Sequence, residues 1–127
     1  MTRLKSIAPQ FLVADLPAAV RHYEEHLGFR RRIDYGGFYA SVVRDTVEIH
    51  LKCADKLQGE RTHRLDHEHL DAFIETEDVI GLHEEMKSRG ASVLRGIETR
   101  PWGAQDFYVL DLDGYLLCFS GTEAAEL

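Results

Sequence analysis

Cysteine is scarce in this chain of 127 residues: there are two, Cys53 and Cys118. They form no C-x-x-C pair and no disulfide framework, so a reducing cytoplasmic compartment is expected. Positive charge is also short, with 15 Lys and Arg against 22 Asp and Glu, a formal net charge of −7. Phosphate backbones need clustered Lys and Arg, so nucleic acid is excluded as a partner. No apolar run reaches the 18 or so residues of a membrane span, and the polar start Met1–Ser6 is not a signal peptide. The glycine-rich phosphate motifs are missing too, which leaves nucleotide binding without support. No nucleophile stands with a general base and an oxyanion hole.

What is present suits one soluble globular domain: 44% hydrophobic and 29% charged residues, on enough chain to bury a sizeable core. The most informative stretch runs from Arg100-Pro101-Trp102-Gly103 through Gln105–Leu110 to Asp111-Leu112-Asp113-Gly114 and Tyr115–Phe119. Phe107 and Val109 alternate with Asp106 and Tyr108, the period of a half-buried strand. Asp113-Gly114 between two such runs predicts a hairpin. Trp102, held between Pro and Gly, either plugs the core or walls a ligand site.

From the start, Ser6–Val13 reads as a strand whose ladder Pro9 interrupts. Asp15 is a helix N-cap, Pro17 fits the first turn, and Ala19, Val20, Tyr23 and Leu27 form the apolar stripe of a helix over Leu16–Leu27 closed by Gly28. Strands follow at Phe29–Tyr35, Phe38–Val43 and Val47–Lys52. The Arg30-Arg31-Arg32 triplet reads as a solvated strand edge. A second strand–helix–strands series begins at Asp71–Thr76. Asp78 caps its helix, Val79, Leu82 and Met86 make its stripe, and Gly90 ends it. Ser92–Thr99 is the next strand. Asp15 recurs as Asp78 and Gly28 as Gly90, 63 and 62 positions on. The organisation is therefore an internal repeat, with modules 1–53 and 71–121 joined by a loop over 54–70.

Histidines invite metal readings, and each has a plainer one. His22 and His26 are not the zincin H-E-x-x-H, because position 23 is Tyr, and they are expected on a solvated helix face. His83 is expected at the surface. Asp66-His67-Glu68-His69, with His63 nearby, reads as a solvated loop.

Two βαβββ halves with these caps resemble the vicinal oxygen chelate superfamily of glyoxalases, dioxygenases and bleomycin-resistance proteins. The local matches are Val13-Ala14-Asp15-Leu16-Pro17 with Tyr23 and Leu27-Gly28-Phe29, and Pro101-Trp102-Gly103 with Asp111-Leu112-Asp113-Gly114. The second resembles the bleomycin-resistance branch, with Leu112 where a Pro is usual. The resemblance implies an α+β fold of two curved mixed sheets with helices outside, and a homodimer with clefts between halves of different subunits. It also implies, for the enzymes, a divalent metal held by one residue on the first and one on the last strand of each half. Counted from Asp15, Asp45, Asp78 and Asp113, those positions fall on Ala8, His50, Asp71 and Cys118. The usual His, Gln and Glu ligands are absent, and Ala8 has no donor.

The expectation is thus a binding protein without metal or other cofactor, sequestering an aromatic or peptide-like compound. Its candidate ligand residues are Trp102, Tyr108, Tyr39, His50, Cys118, Asp71 and Phe38. Tyr39 and Tyr108 share the parity of the cleft face; Phe38 lies on the other parity and is expected to be more core-like. The alternative is a metal-dependent lyase, isomerase or dioxygenase using His50, Asp71 and Cys118 around one divalent ion.

Overall fold

A computed structural model describes residues 2–54 and 70–122. The loop histidines His63, His67 and His69 lie outside the described residues. The first helix forms where its caps dictate. Asp15 accepts from the Ala18 amide at 3.0 Å, Pro17 sits in the first turn, and α1 runs Leu16–His26. It ends at Gly28, whose φ of +74° few other residues adopt. Asp78 repeats the device, accepting from the Gly81 amide at 2.9 Å, and α2 runs Val79–Ser88.

Before α1 lies β1 (Gln10–Val13), and after it β2 (Arg30–Tyr35), β3 (Tyr39–Arg44) and β4 (Val47–Cys53). The second series is β5 (Ala72–Glu75), then β6 (Ser92–Thr99), β7 (Ala104–Leu110) and β8 (Leu116–Thr122) beyond α2. They make two four-stranded sheets of the same order, β1-β4-β3-β2 and β5-β8-β7-β6. In each the first strand runs parallel to the last and the remaining pairs are antiparallel. The first strand is shorter than its apolar run suggested. Pro9 has no N–H to give, so the ladder starts with its carbonyl, which accepts from the His50 amide at 2.9 Å. Among the described residues no helix is long and apolar enough to cross a membrane.

One face of each sheet enters a shared core. Phe11, Val13, Ala40, Val42, Ile49 and Leu51 of the first join Phe107, Val109, Leu117 and Phe119 of the second, with Tyr23 and Met86 from the helices. The alternation in β7 and β8 sorts residues by side, but both sides are buried. Tyr108, Leu116 and Cys118 form a second cluster on the opposite face, with Leu70 and Leu110 packed against it.

The halves are joined by reciprocal contacts. The β7–β8 turn of the second half reaches the first. Asp113 accepts from the Ala14 amide at 3.0 Å, Tyr115 Oη bonds the Leu12 amide and carbonyl at 2.8 Å each, and Tyr115 stacks on Phe11 with ring centroids 4.1 Å apart. Tyr23 Oη of α1 donates to Asp111 Oδ2 at 2.8 Å. In return Arg44, at the β3–β4 turn, donates to both oxygens of Glu85 on α2 at 2.8 and 3.0 Å and to the Leu27 carbonyl at 2.9 Å.

Two helical histidines expected in solvent are instead half-buried between the halves. His26 Nδ1 lies 2.6 Å from the Arg89 carbonyl, and His22 packs on His26 and Tyr23. His83 also departs from its expected surface place: its side chain is 14% exposed and packs edge-on against Phe107 at 5.0 Å. Helical spacing marked which residues share a face with solvent, but not that another half of the chain covers that face.

Candidate functional site

Tyr39, His50, Tyr108 and Cys118 lie on the sheet faces turned away from the shared core. On the first sheet, pairing of Ser41 and Gln10 with His50 sets these residues on one face. Tyr39 joins them by contact: its Oη lies 2.7 Å from His50 Nδ1 and accepts from Gln10 Nε2 at 3.1 Å. His50 Nε2 is 3.5 Å from Glu48. Glu48 is in turn tied to Arg32, whose hydrogen bond, foremost among several influences, holds its carboxyl below the ordinary range. Tyr39 and His50 are therefore one polar group, each orienting the other.

On the second sheet, Tyr108 pairs with Cys118 across β7 and β8. Burial pushes the Cys118 thiol up to about 11, with the Asp106 charge adding to it. A thiol kept neutral is a poor ligand and a poor nucleophile. Asp71 Oδ2 accepts from the Leu116 amide at 2.8 Å, which closes the start of β5 onto β8. Phe38 departs from its core-like expectation: it is 56% exposed, because it falls in the turn after Gly36 and Gly37, both at positive φ, before β3 begins.

Trp102 is at the tip of a four-residue turn. The Gly103 amide donates to the Arg100 carbonyl at 2.9 Å, Pro101 supplies the preset φ of the second position, and Gly103 takes a φ of +96°. The indole is 75% exposed. It is no core plug.

The turn opens onto a group that periodicity alone missed. Asp106, 6% exposed, accepts from Arg100 Nε at 3.0 Å and Arg100 Nη2 at 3.1 Å, and also from Arg95 Nη2. Arg100 Nη2 also donates to Tyr108 Oη at 3.2 Å, and the Arg95 guanidinium lies 3.9 Å above the Tyr108 ring centroid. Burial alone would raise the Asp106 carboxyl, but the two arginines hold it below the ordinary range. The alternation of Asp106 with Phe107 was the available signal, since an acid on a buried strand needs a partner. Which arginines supply it depends on register shifts in β6 on either side of Arg95.

The metal positions do not fit a metal. Ala8 has no donor, Asp71 accepts from a backbone amide, and His50 and Cys118 stand on different sheets. Among the described residues, no three His, Cys, Asp or Glu gather into a group able to hold an ion. The conditional set His50, Asp71 and Cys118 is thus not assembled within one chain.

Several solved structures share the fold. The bleomycin-binding protein of bleomycin-producing Streptomyces verticillus, solved with copper(II)-bleomycin, is 23% identical with a TM-score of 0.73, covering 97% of this chain and 100% of its own. A glyoxalase-related enzyme of Clostridium phytofermentans is 22% identical with a TM-score of 0.76, covering 96% and 98%. The bleomycin resistance determinant of transposon Tn5 is 17% identical with a TM-score of 0.77, covering 94% and 99%. No curated protein sequence matches. A family model described as Glyoxalase/Bleomycin resistance protein/Dioxygenase superfamily matches residues 3–119. This chain, with its repeated strand–helix–strand halves, belongs to that superfamily.

Proposed function

We propose that the protein binds a small aromatic or peptide-like compound without a metal or other cofactor, and acts by sequestering it. The observation that carries this reading is Trp102, a large flat side chain held out at the tip of a well-formed turn. A monomer has no packing use for an indole 75% exposed, whereas a planar ligand gains offset stacking from it. The turn is continuous with Arg100, which donates to the buried Tyr108 phenol, so the segment that carries the indole is anchored to the outer face of the second sheet. The poor fit of the metal positions supports binding over metal chemistry. Two of the similar structures are a bleomycin-binding protein and a bleomycin resistance determinant, which supports the ligand class.

The cleft is completed by a second copy of the chain. Leu12, Tyr35 and Phe73 support this: each is more than 40% exposed, and their register places them on the faces away from the core. Apolar surface of that kind marks an interface.

Trp102 is the one tryptophan in the chain, so intrinsic fluorescence reports on it alone. Titration with bleomycin and with planar aromatic antibiotics is expected to change that emission saturably and to raise Tm for a bound compound. Trp102→Ala is expected to weaken such a compound two- to tenfold, the loss of about 0.5–1.5 kcal/mol of stacking. Unchanged affinity in that variant, read by thermal shift, would refute the site.

A further inference from the structure

We infer that the second sheet's outer face, at Arg95 and Arg100, recognises a carboxylate carried by the aromatic ligand. This rests on the binding reading above and specifies its chemistry. It also runs against the chain's net charge of −7, which taken alone favours a cation.

The donor and acceptor inventory is the reason. Each guanidinium offers five N–H groups. Asp106 takes two from Arg100 and one from Arg95, and Tyr108 Oη takes one more. Among the described residues, the remaining acceptors are the Gly96 carbonyl, 3.2 Å from Arg95 Nη1, and Glu98. Glu98 meets Arg95 Nη1 at 2.8 Å but stands 4.0 Å from Arg100 Nη1. Arg95 Nε is buried with no hydrogen-bond partner among the described residues. Two guanidiniums therefore hold more donors than their surroundings accept.

The acids are not equivalent. Asp106 is fixed from both sides and its side chain is 9% exposed, while the Glu98 side chain is 53% exposed. Asp106 builds the site, and Glu98 occupies it as a replaceable counter-ion. With Glu98 displaced, two positive charges stand against one negative charge in a part-buried place, where electrostatic attraction is less screened than in water. Arg95 is held over the Tyr108 ring and tied to Asp106, which restricts its fork, and a fixed guanidinium fork matches a planar carboxylate. Trp102 follows Arg100 by two residues and supplies the stacking surface.

The test uses three probes that share a ring system: 2-naphthoate, 2-naphthamide and 2-naphthylmethylammonium. Each is titrated onto the full chain by Trp102 fluorescence and thermal shift. Wild type is expected to bind the carboxylate at least tenfold tighter than the other two, with the advantage shrinking as salt is added. Glu98→Gln removes the competing carboxylate at an exposed position and is expected to tighten naphthoate several-fold without changing the amide. Arg100→Gln is expected to erase the carboxylate preference. Equal binding of all three probes by wild type, or preference for the ammonium, would overturn this inference and leave the binding reading standing. No response to any probe would overturn this inference; if bleomycin and the antibiotics also gave none, the binding reading would fall with it. Should Arg100→Gln not fold, the wild-type series and Glu98→Gln still decide.

Discussion

Asp111 is the residue on which the joint between the halves depends. It is buried, and its Oδ1 accepts from the Asp113 and Tyr115 amides while Oδ2 accepts from Tyr23. Burial outweighs those bonds and lifts its carboxyl to about 6, while burial and the nearby Asp111 push the Tyr23 phenol well above 10. The sign follows from the shift. A carboxyl raised in the folded state takes up a proton on folding between the ordinary carboxylate value and about pH 6, so its contribution is fully present below that window and lost as pH rises through 6. His22 acts in the opposite sense: burial and then His26 lower it, so its contribution is lost as pH falls below 6.5. Comparing Asp111→Asn with wild type isolates the carboxyl. The variant is expected to gain roughly 2 kcal/mol on wild type between pH 4 and pH 7, measured by urea unfolding. A pH-independent difference would mean that Asp111 titrates normally. Tyr23→Phe removes only the buried donor and is expected to cost about 1–3 kcal/mol at neutral pH.

At the scale of elements, the helices were legible because their signals are local. Asp15 and Asp78 cap as their side chains dictate, and Gly28 and Gly90 close the ends at positive φ. Gly28 does more than end a helix. A Cβ there would stand 2.6 Å from Arg44 Nη1, the group that reaches both Leu27 and Glu85. Gly28→Ala is therefore expected to cost about 1–2 kcal/mol from the left-handed backbone alone, and to loosen the Arg44–Glu85 contact. Chemical denaturation and the exchange rates of the last α1 amides would show both; wild-type stability would refute the constraint. Strand pairing was less legible. Alternation sorted β7 and β8 into two sides, but nothing local revealed that both sides are covered, and Pro9 shortened β1. Trp102's exposure follows from the turn's hydrogen bond, which the Pro and Gly signalled without fixing where the indole points.

At the scale of the molecule, the repeat of Asp15 with Asp78 and Gly28 with Gly90 predicted two similar sheets, and the sheets have the same order. Parity brought Tyr39 near His50 and Tyr108 beside Cys118 on their sheets. It did not find Arg95 and Arg100, since β6 shifts register on either side of Arg95, nor did it place the histidines of α1 at the joint. The contacts that α1 makes at the joint, His26 with Arg89 and Tyr23 with Asp111, span 63 and 88 positions of chain, beyond any local pattern. The outer faces lead to an expectation about assembly. A chain of 14.5 kDa is expected to sediment at twice that mass at micromolar concentration, and Phe73→Glu is expected to shift it to the single-chain mass. A wild-type monomer throughout that range would refute the completed cleft.

The turn from Asp111 to Tyr115 belongs to one half by sequence and serves the other by contact, and Arg44 reciprocates. Neither half holds a closed set of hydrogen bonds. A substitution in either turn is felt by the opposite module, so the two repeats are bound to diverge in step. Their outer sheet faces carry no such obligation, and those are the places where Tyr39 and His50 on one sheet already differ from Tyr108 and the arginines on the other.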